Sequence, residues 1–197
     1  MDFTLYRPNE NELLLNKIYR EAGINYTSDM DIELIANIFD AEVGFYDGEP
    51  VVEYNDDDCT ILLNENESKP KQRFDFFHEL SHPLLHMGCQ DNMHPAFKEL
   101  QEIQASQFQL YASMPIYMFD EFRDVRPSHL VKALSEAFVL PERFVKKRLE
   151  QIKNRIYMHE QSIEFNKRLY QKVTVTKEEF ESFIEETARR YRERFGS

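Results

Sequence analysis

A chain of 197 residues with 42% hydrophobic content can bury one sizeable core, and no apolar run approaches the roughly 20 residues that a membrane span needs. Its 36 acidic residues outweigh 24 basic ones, and a formal charge of −12 repels the phosphate backbones that a nucleic-acid reader must approach. Two cysteines, Cys59 and Cys89, give no disulfide framework, and Met1-Asp2-Phe3-Thr4 lacks the basic and apolar regions of a signal peptide, so a reducing cytoplasm is the expected compartment.

In chain order, residues 9–22 read as a helix with Leu13, Leu14, Ile18 and Tyr19 inward, stopped by Gly23. Ser28 or Asp29 is placed to cap a second helix carrying Ile32, Leu34, Ile35, Ile38 and Phe39. A helix pair here suggests a DNA reader, but the second helix bears Asp29, Asp31, Glu33 and Asp40 and no basic residue, which excludes that use. The runs Glu42 to Tyr46 and Pro50 to Tyr54 flank Asp47-Gly48, a hairpin signal. A turn over Asn55 to Asp58 then leads to a third strand, Cys59 to Leu63, completing a meander. Asp56, Asp57 and Asp58 lack the ligand spacing and glycine of a calcium loop. One strand of this sheet is a candidate edge for a bound peptide.

The polar stretch Asn64 to Lys71 enters Phe74-Asp75-Phe76-Phe77-His78-Glu79-Leu80-Ser81-His82, which contains H-E-x-x-H. Helical residues four apart share a face, so His78 and His82 present two imidazoles to one point. Glu79 is placed to take the proton from an attacking water, as in zinc proteases. Phe74, Phe77, Leu80, Leu84 and Leu85 form the apolar stripe that buries this helix. Pro83 removes the donor that would bond the Glu79 carbonyl, so a kink is expected just after His82. A catalytic zinc needs a third protein ligand. The next helical stretch, Pro95 to Tyr111, offers Glu102, with Glu99 one turn earlier as the fallback; Ala105 and Ser106 are small enough for close helix approach. His86 and Cys89 follow the motif without a required role.

From Met114 the chain is helical again. Ser128 caps a helix over Leu130 to Phe138, Pro141 opens a long one from about Glu142 to Gln171, and a Thr176/Glu179 capping box starts a last helix that runs to Phe195.

Arg73-Phe74-Asp75-Phe76-Phe77-His78-Glu79-Leu80-Ser81-His82-Pro83-Leu84-Leu85-His86 resembles the "rrFtlAHElgHllLH" signature of the ImmA/IrrE metallopeptidases. Glu102-Ile103-Gln104-Ala105-Ser106-Gln107-Phe108, ending in Met114-Pro115, resembles that family's "ExxAnxFAaxlLMP". Ser81, Ser106 and Gln109 stand where the family usually has Gly or Ala, Asn or Asp, and Ala. The resemblance implies His78, His82 and Glu102 as ligands of Zn2+, Glu79 as the catalytic base, and a helix-turn-helix repressor protein as substrate. The expected fold is α+β and zincin-like, mainly helical with a small three-stranded sheet. Residues 1–149 would form the metallopeptidase domain and 150–197 a C-terminal helical extension, with no direct nucleic-acid or membrane binding. The alternative is a non-hydrolytic module of the same fold that sequesters a repressor or antitoxin-like partner. Tyr111, Tyr117, His94 and His129 are all candidates for the oxyanion donor.

Overall fold

The computed structural model describes residues 3–55, 58–85, 94–173 and 176–195. The chain is mainly helical with one small mixed sheet, the expected α+β composition. His86 and Cys89 lie outside the described residues, as do Asp56 and Asp57.

Helix α1 spans Glu10–Glu21, and the Asn9 side chain caps it by accepting from the Glu12 amide. Gly23 follows at φ +83, a left-handed conformation that glycine adopts without steric cost. The buried face differs from the one expected. Tyr19 is buried as expected, but Leu13 and Leu14 are 55% and 58% exposed, and Glu12 and Leu15 point inward in their place. The reason is charge pairing. Glu12 is fully buried and accepts from Arg148 (2.6 Å), Arg155 (2.8 Å) and the Tyr6 hydroxyl (2.6 Å). A hydrophobic pattern reads such a glutamate as solvent-facing, which rotates the helix by about one position. Helix α2 spans Ile32–Ile38; Asp31, not Ser28 or Asp29, caps it, accepting from the Glu33 and Leu34 amides. Asp29 instead accepts from the Asn25 and Tyr26 amides in the preceding turn.

The sheet is not a meander. Strands β1 (Glu42–Tyr46), β2 (Val51–Tyr54) and β3 (Cys59–Asn64) lie in the order β1-β3-β2. β1 runs parallel to β3, with Tyr46 opposite Asn64, and β2 runs antiparallel to it, with Val52 opposite Ile61. The hairpin is therefore β2–β3, and residues 47–50 carry the chain across the end of the central strand. Gly48 does not take the positive φ that a tight hairpin turn demands; a Cβ there would overlap the Tyr46 ring. The crossing is held by Glu65 N–H on the Tyr46 carbonyl (2.9 Å) and by the Asn66 amide on Asp47 (2.9 Å).

β3 feeds α3 (Lys69–Glu79), followed by α4 (Ser81–Leu85). The helix breaks at Leu80, before His82 rather than after it. Pro83 cannot bond the Glu79 carbonyl, and the Ser81 hydroxyl donates to the His78 carbonyl at 2.5 Å, so the ladder is interrupted upstream of the proline. Helix α5 (Pro95–Ser113) packs on α3 and α4. Helix α6 (Pro127–Phe138) begins at Pro127 after Arg126, one position before the expected cap Ser128. Helix α7 (Glu142–Val173) runs through position 150 without a break, and α8 (Lys177–Phe195) starts with the expected reciprocal Thr176/Glu179 cap. The core joins Tyr19, Ile61, Phe76, Phe77, Phe119 and Phe138, and Ile152 is the last fully buried residue among the described part of α7.

Candidate metal centre

α3, α4 and α5 bring His78, His82 and Glu102 to one point. His78 Nε2 lies 3.3 Å from Glu102 Oε2, and His82 Nε2 lies 3.8 Å from Glu102 Oε1. One donor atom from each lies within 4.8 Å of the others. Tetrahedral bonds of about 2.0–2.1 Å put adjacent zinc donors roughly 3.3–3.4 Å apart, so these side chains need only small rotations to close on one cation. Two imidazoles and a carboxylate leave a fourth position open. The break at Leu80 does not separate the two rings, whose centroids are 5.1 Å apart. Glu99 lies a turn away on α5, outside this group.

α5 is held against α3 by a residue that departs from the quoted pattern. Buried Gln109 donates its amide to the Phe74 carbonyl at 2.6 Å, tying α5 to α3 one turn before His78. Fully buried Ala105 permits the close approach. Ser106 lines the cavity beside His78. That cavity, about 380 Å³, is lined in part by Phe74 and Phe144, which meet edge to face at 5.0 Å. Its lining also includes Asp75, salt-bridged to Lys71 at 2.5 Å, and Arg143 and Lys147 of α7.

Glu79 is the carboxyl most strongly shifted here. Burial raises it, and the nearby carboxylates of Asp75 and Glu102 raise it further, to about 7. A hydrogen bond from the Val52 backbone and the Lys71 ammonium pull in the opposite direction. The unfolded-state value is 4.5, so between about 4.5 and 7 the folded chain keeps a proton that the unfolded chain has lost. Stability of metal-free protein should therefore fall as pH rises through that window. Thermal melts of chelator-treated protein at several pH values test this. Glu79→Gln should flatten the fall; identical pH slopes for the two proteins would exclude Glu79 as its source.

None of the four oxyanion candidates is singled out. The Tyr117 hydroxyl donates to the Ile24 carbonyl at 2.8 Å, and Tyr111 is buried in the core. His94 caps α5 by accepting from the Ala96 amide at 3.3 Å. His129 is exposed on α6.

A helical domain that converges two histidines and a glutamate beside a carboxylate of raised pKa offers a group that could hold a metal ion. Residues 32–150, more than half of the chain, match the Peptidase_M78 family, IrrE N-terminal-like domain, and the chain belongs to that family. The family points to a peptidase. The chain is 33% identical over 160 residues to the phage-like element PBSX protein XkdA of Bacillus subtilis (strain 168), covering 80% of this chain and 78% of that protein. It is 23% identical over 158 residues to the protein YqaB of the same organism, covering 78% of this chain and 90% of YqaB. No helix among the described residues is long and apolar enough to cross a membrane.

Proposed function

We propose that this protein is a cytoplasmic zinc endopeptidase of a phage-like element, and that it cuts a helix-turn-helix repressor to relieve repression. The observation that carries the reading is the meeting of His78, His82 and Glu102 beside Glu79. The relative named for a phage-like element supports the setting.

Bound at the trio, zinc would polarise the scissile carbonyl and lower the pKa of a water beside it. His78 and His82 serve as neutral imidazoles and Glu102 supplies one negative charge. Glu79, adjacent to that point, takes the proton from the attacking water and delivers it to the leaving amine. A cation here would also favour the ionised form of Glu79, offsetting the rise that burial causes. Among the described residues β2 pairs with β3 on one side only, and its Val52 backbone reaches Glu79. An extended peptide added to that edge would pass directly beside the carboxylate. The cavity between α3, α5 and α7 would take a substrate side chain.

The test is incubation of the purified chain with the repressor of its own element, with zinc and with a chelator. Defined repressor fragments that appear with zinc, vanish with chelator and return on adding zinc again are expected. An intact repressor under every metal condition would contradict the reading.

A further inference from the structure

The end of the chain presents a bare helix. Every residue from Glu160 to Leu169 and from Thr176 to Arg194 is exposed. In α8 these include Phe180, Phe183 (64%), Ile184 and Tyr191 (67%). In proteins a helix such as this one of 19 residues draws most of its stability from packing its apolar face.

The charges of α8 say what kind of surface would cover it. Glu178, Glu179, Glu181, Glu185 and Glu186 fill its first half, and Arg189, Arg190, Arg192 and Arg194 its second. Dipole compensation accounts for such charges only in the first and last turns, whereas Glu185, Glu186, Arg189 and Arg190 sit in the middle. Pairs four apart, such as Arg190 on Glu186 at 2.6 Å, account for part of the charged face. They do not account for the apolar stripe or for its symmetry. Ile184 and Tyr191 stand at equal distances from the midpoint between Thr187 and Ala188, as do Phe180 and Phe195 in the sequence. The smallest residues of the stripe are therefore at its centre.

We propose that α8 pairs antiparallel with α8 of a second copy of this chain, about a two-fold axis at Thr187 and Ala188. Antiparallel alignment sets Ile184 of one copy against Tyr191 of the other. It lets the helices approach most closely at the small central pair. On one flank, Glu181 and Glu185 of each copy face Arg192 and Arg189 of the other. A parallel pair would set like charges together, and a uniformly basic or acidic partner would be repelled by half of the helix. α8 carries five basic residues, with Lys177, and six acidic ones, with Glu193, so its net charge is −1 while the chain's is −12. The chain's general repulsion is thus relieved along this helix. Self-pairing is isologous, so the interface closes at two copies. A seam of about 28 Å, set by a rise of 1.5 Å per residue, makes a weak dimer in the micromolar range.

The test uses the full chain in sedimentation equilibrium over a range of micromolar concentrations. One variant carries Glu181→Arg and Glu185→Arg, the other Arg189→Glu and Arg192→Glu. Wild type should be in monomer–dimer exchange. Each variant alone should dimerise at least about tenfold more weakly, because two exposed contacts on each side of the axis become repulsive. Mixed one to one, the variants should dimerise about as tightly as wild type, since every cross-chain contact is again between opposite charges. Repulsion within each variant helix is unchanged by mixing, so recovery reports the contact between chains. A wild type that is monomeric throughout leaves the face to a different protein and overturns the proposal. Variants that dimerise as wild type does, or a mixture that stays monomeric, overturn it equally. Metal binding and peptidase activity play no part in this readout.

Discussion

Glu79→Gln should lower repressor cleavage by at least about 10²–10⁴-fold while leaving repressor affinity within about twofold of wild type. The amide keeps the length and shape of the carboxylate but cannot accept the water's proton. It remains able to meet the Val52 backbone that borders Glu79 on β2. The imidazoles of His78 and His82 and the Glu102 carboxylate are untouched, so the metal centre and the peptide edge persist. The measurement is paired: fragment formation on a gel, and affinity by titration of the same two proteins. A variant that loses derepression in cells but keeps affinity identifies proton transfer as the function of Glu79. A variant that derepresses at full strength would identify a sequestering module instead.

Arg148→Met should destabilise the fold by about 3–5 kcal/mol, lowering the melting temperature by roughly 10 °C or more. Arg148 and Glu12 are both 0% exposed. The guanidinium also donates to the Met114 carbonyl at 3.2 Å and to the Tyr6 hydroxyl at 3.1 Å. It thereby joins α7, α1, the N-terminal segment and the end of α5. Removing it leaves Glu12 inside the core with Arg155 as its remaining cation, and Arg155 is partly exposed. A buried charge stripped of its partner is costly, whereas replacing both partners by apolar groups of similar size is close to neutral. The double variant Glu12→Leu/Arg148→Met should therefore recover most of the lost stability. If the double variant is as unstable as the sum of the two single ones, the pair does not act as a unit.

These two predictions fall on opposite sides of what the amino-acid sequence discloses. The convergence of His78, His82 and Glu102 was largely legible because most of its information is local. The spacing in H-E-x-x-H sets two imidazoles near one another even across the break at Leu80, whereas the choice of Glu102 over Glu99 leaned on the family resemblance. The capping box at Thr176 and the long helix after Pro141 were legible for the same reason. The Glu12–Arg148 pair was not, because 136 residues separate its partners and each alone reads as a surface charge. Its effect propagated: with Glu12 assigned to solvent, Leu13 and Leu14 were assigned to the core. The sheet order failed differently. Asp47-Gly48 carries hairpin chemistry, yet nothing local states that β3 will insert between the two strands. The helix break was expected from Pro83, but the Ser81 back-bond to His78 moved it upstream to Leu80. Gln109, a departure from the family's pattern, proved to be a tie between α5 and α3, a role visible only once Phe74 and Gln109 are neighbours in space.

Zinc content by elemental analysis of wild type, Glu102→Ala and Glu99→Ala, each purified without chelator, tests the metal centre most directly. About one zinc per chain is expected in wild type and in Glu99→Ala, with most of it lost in Glu102→Ala because two imidazoles alone hold the ion weakly. Full zinc occupancy in Glu102→Ala, or a wild-type chain that takes up no zinc, would contradict the assignment of His78, His82 and Glu102 as its ligands.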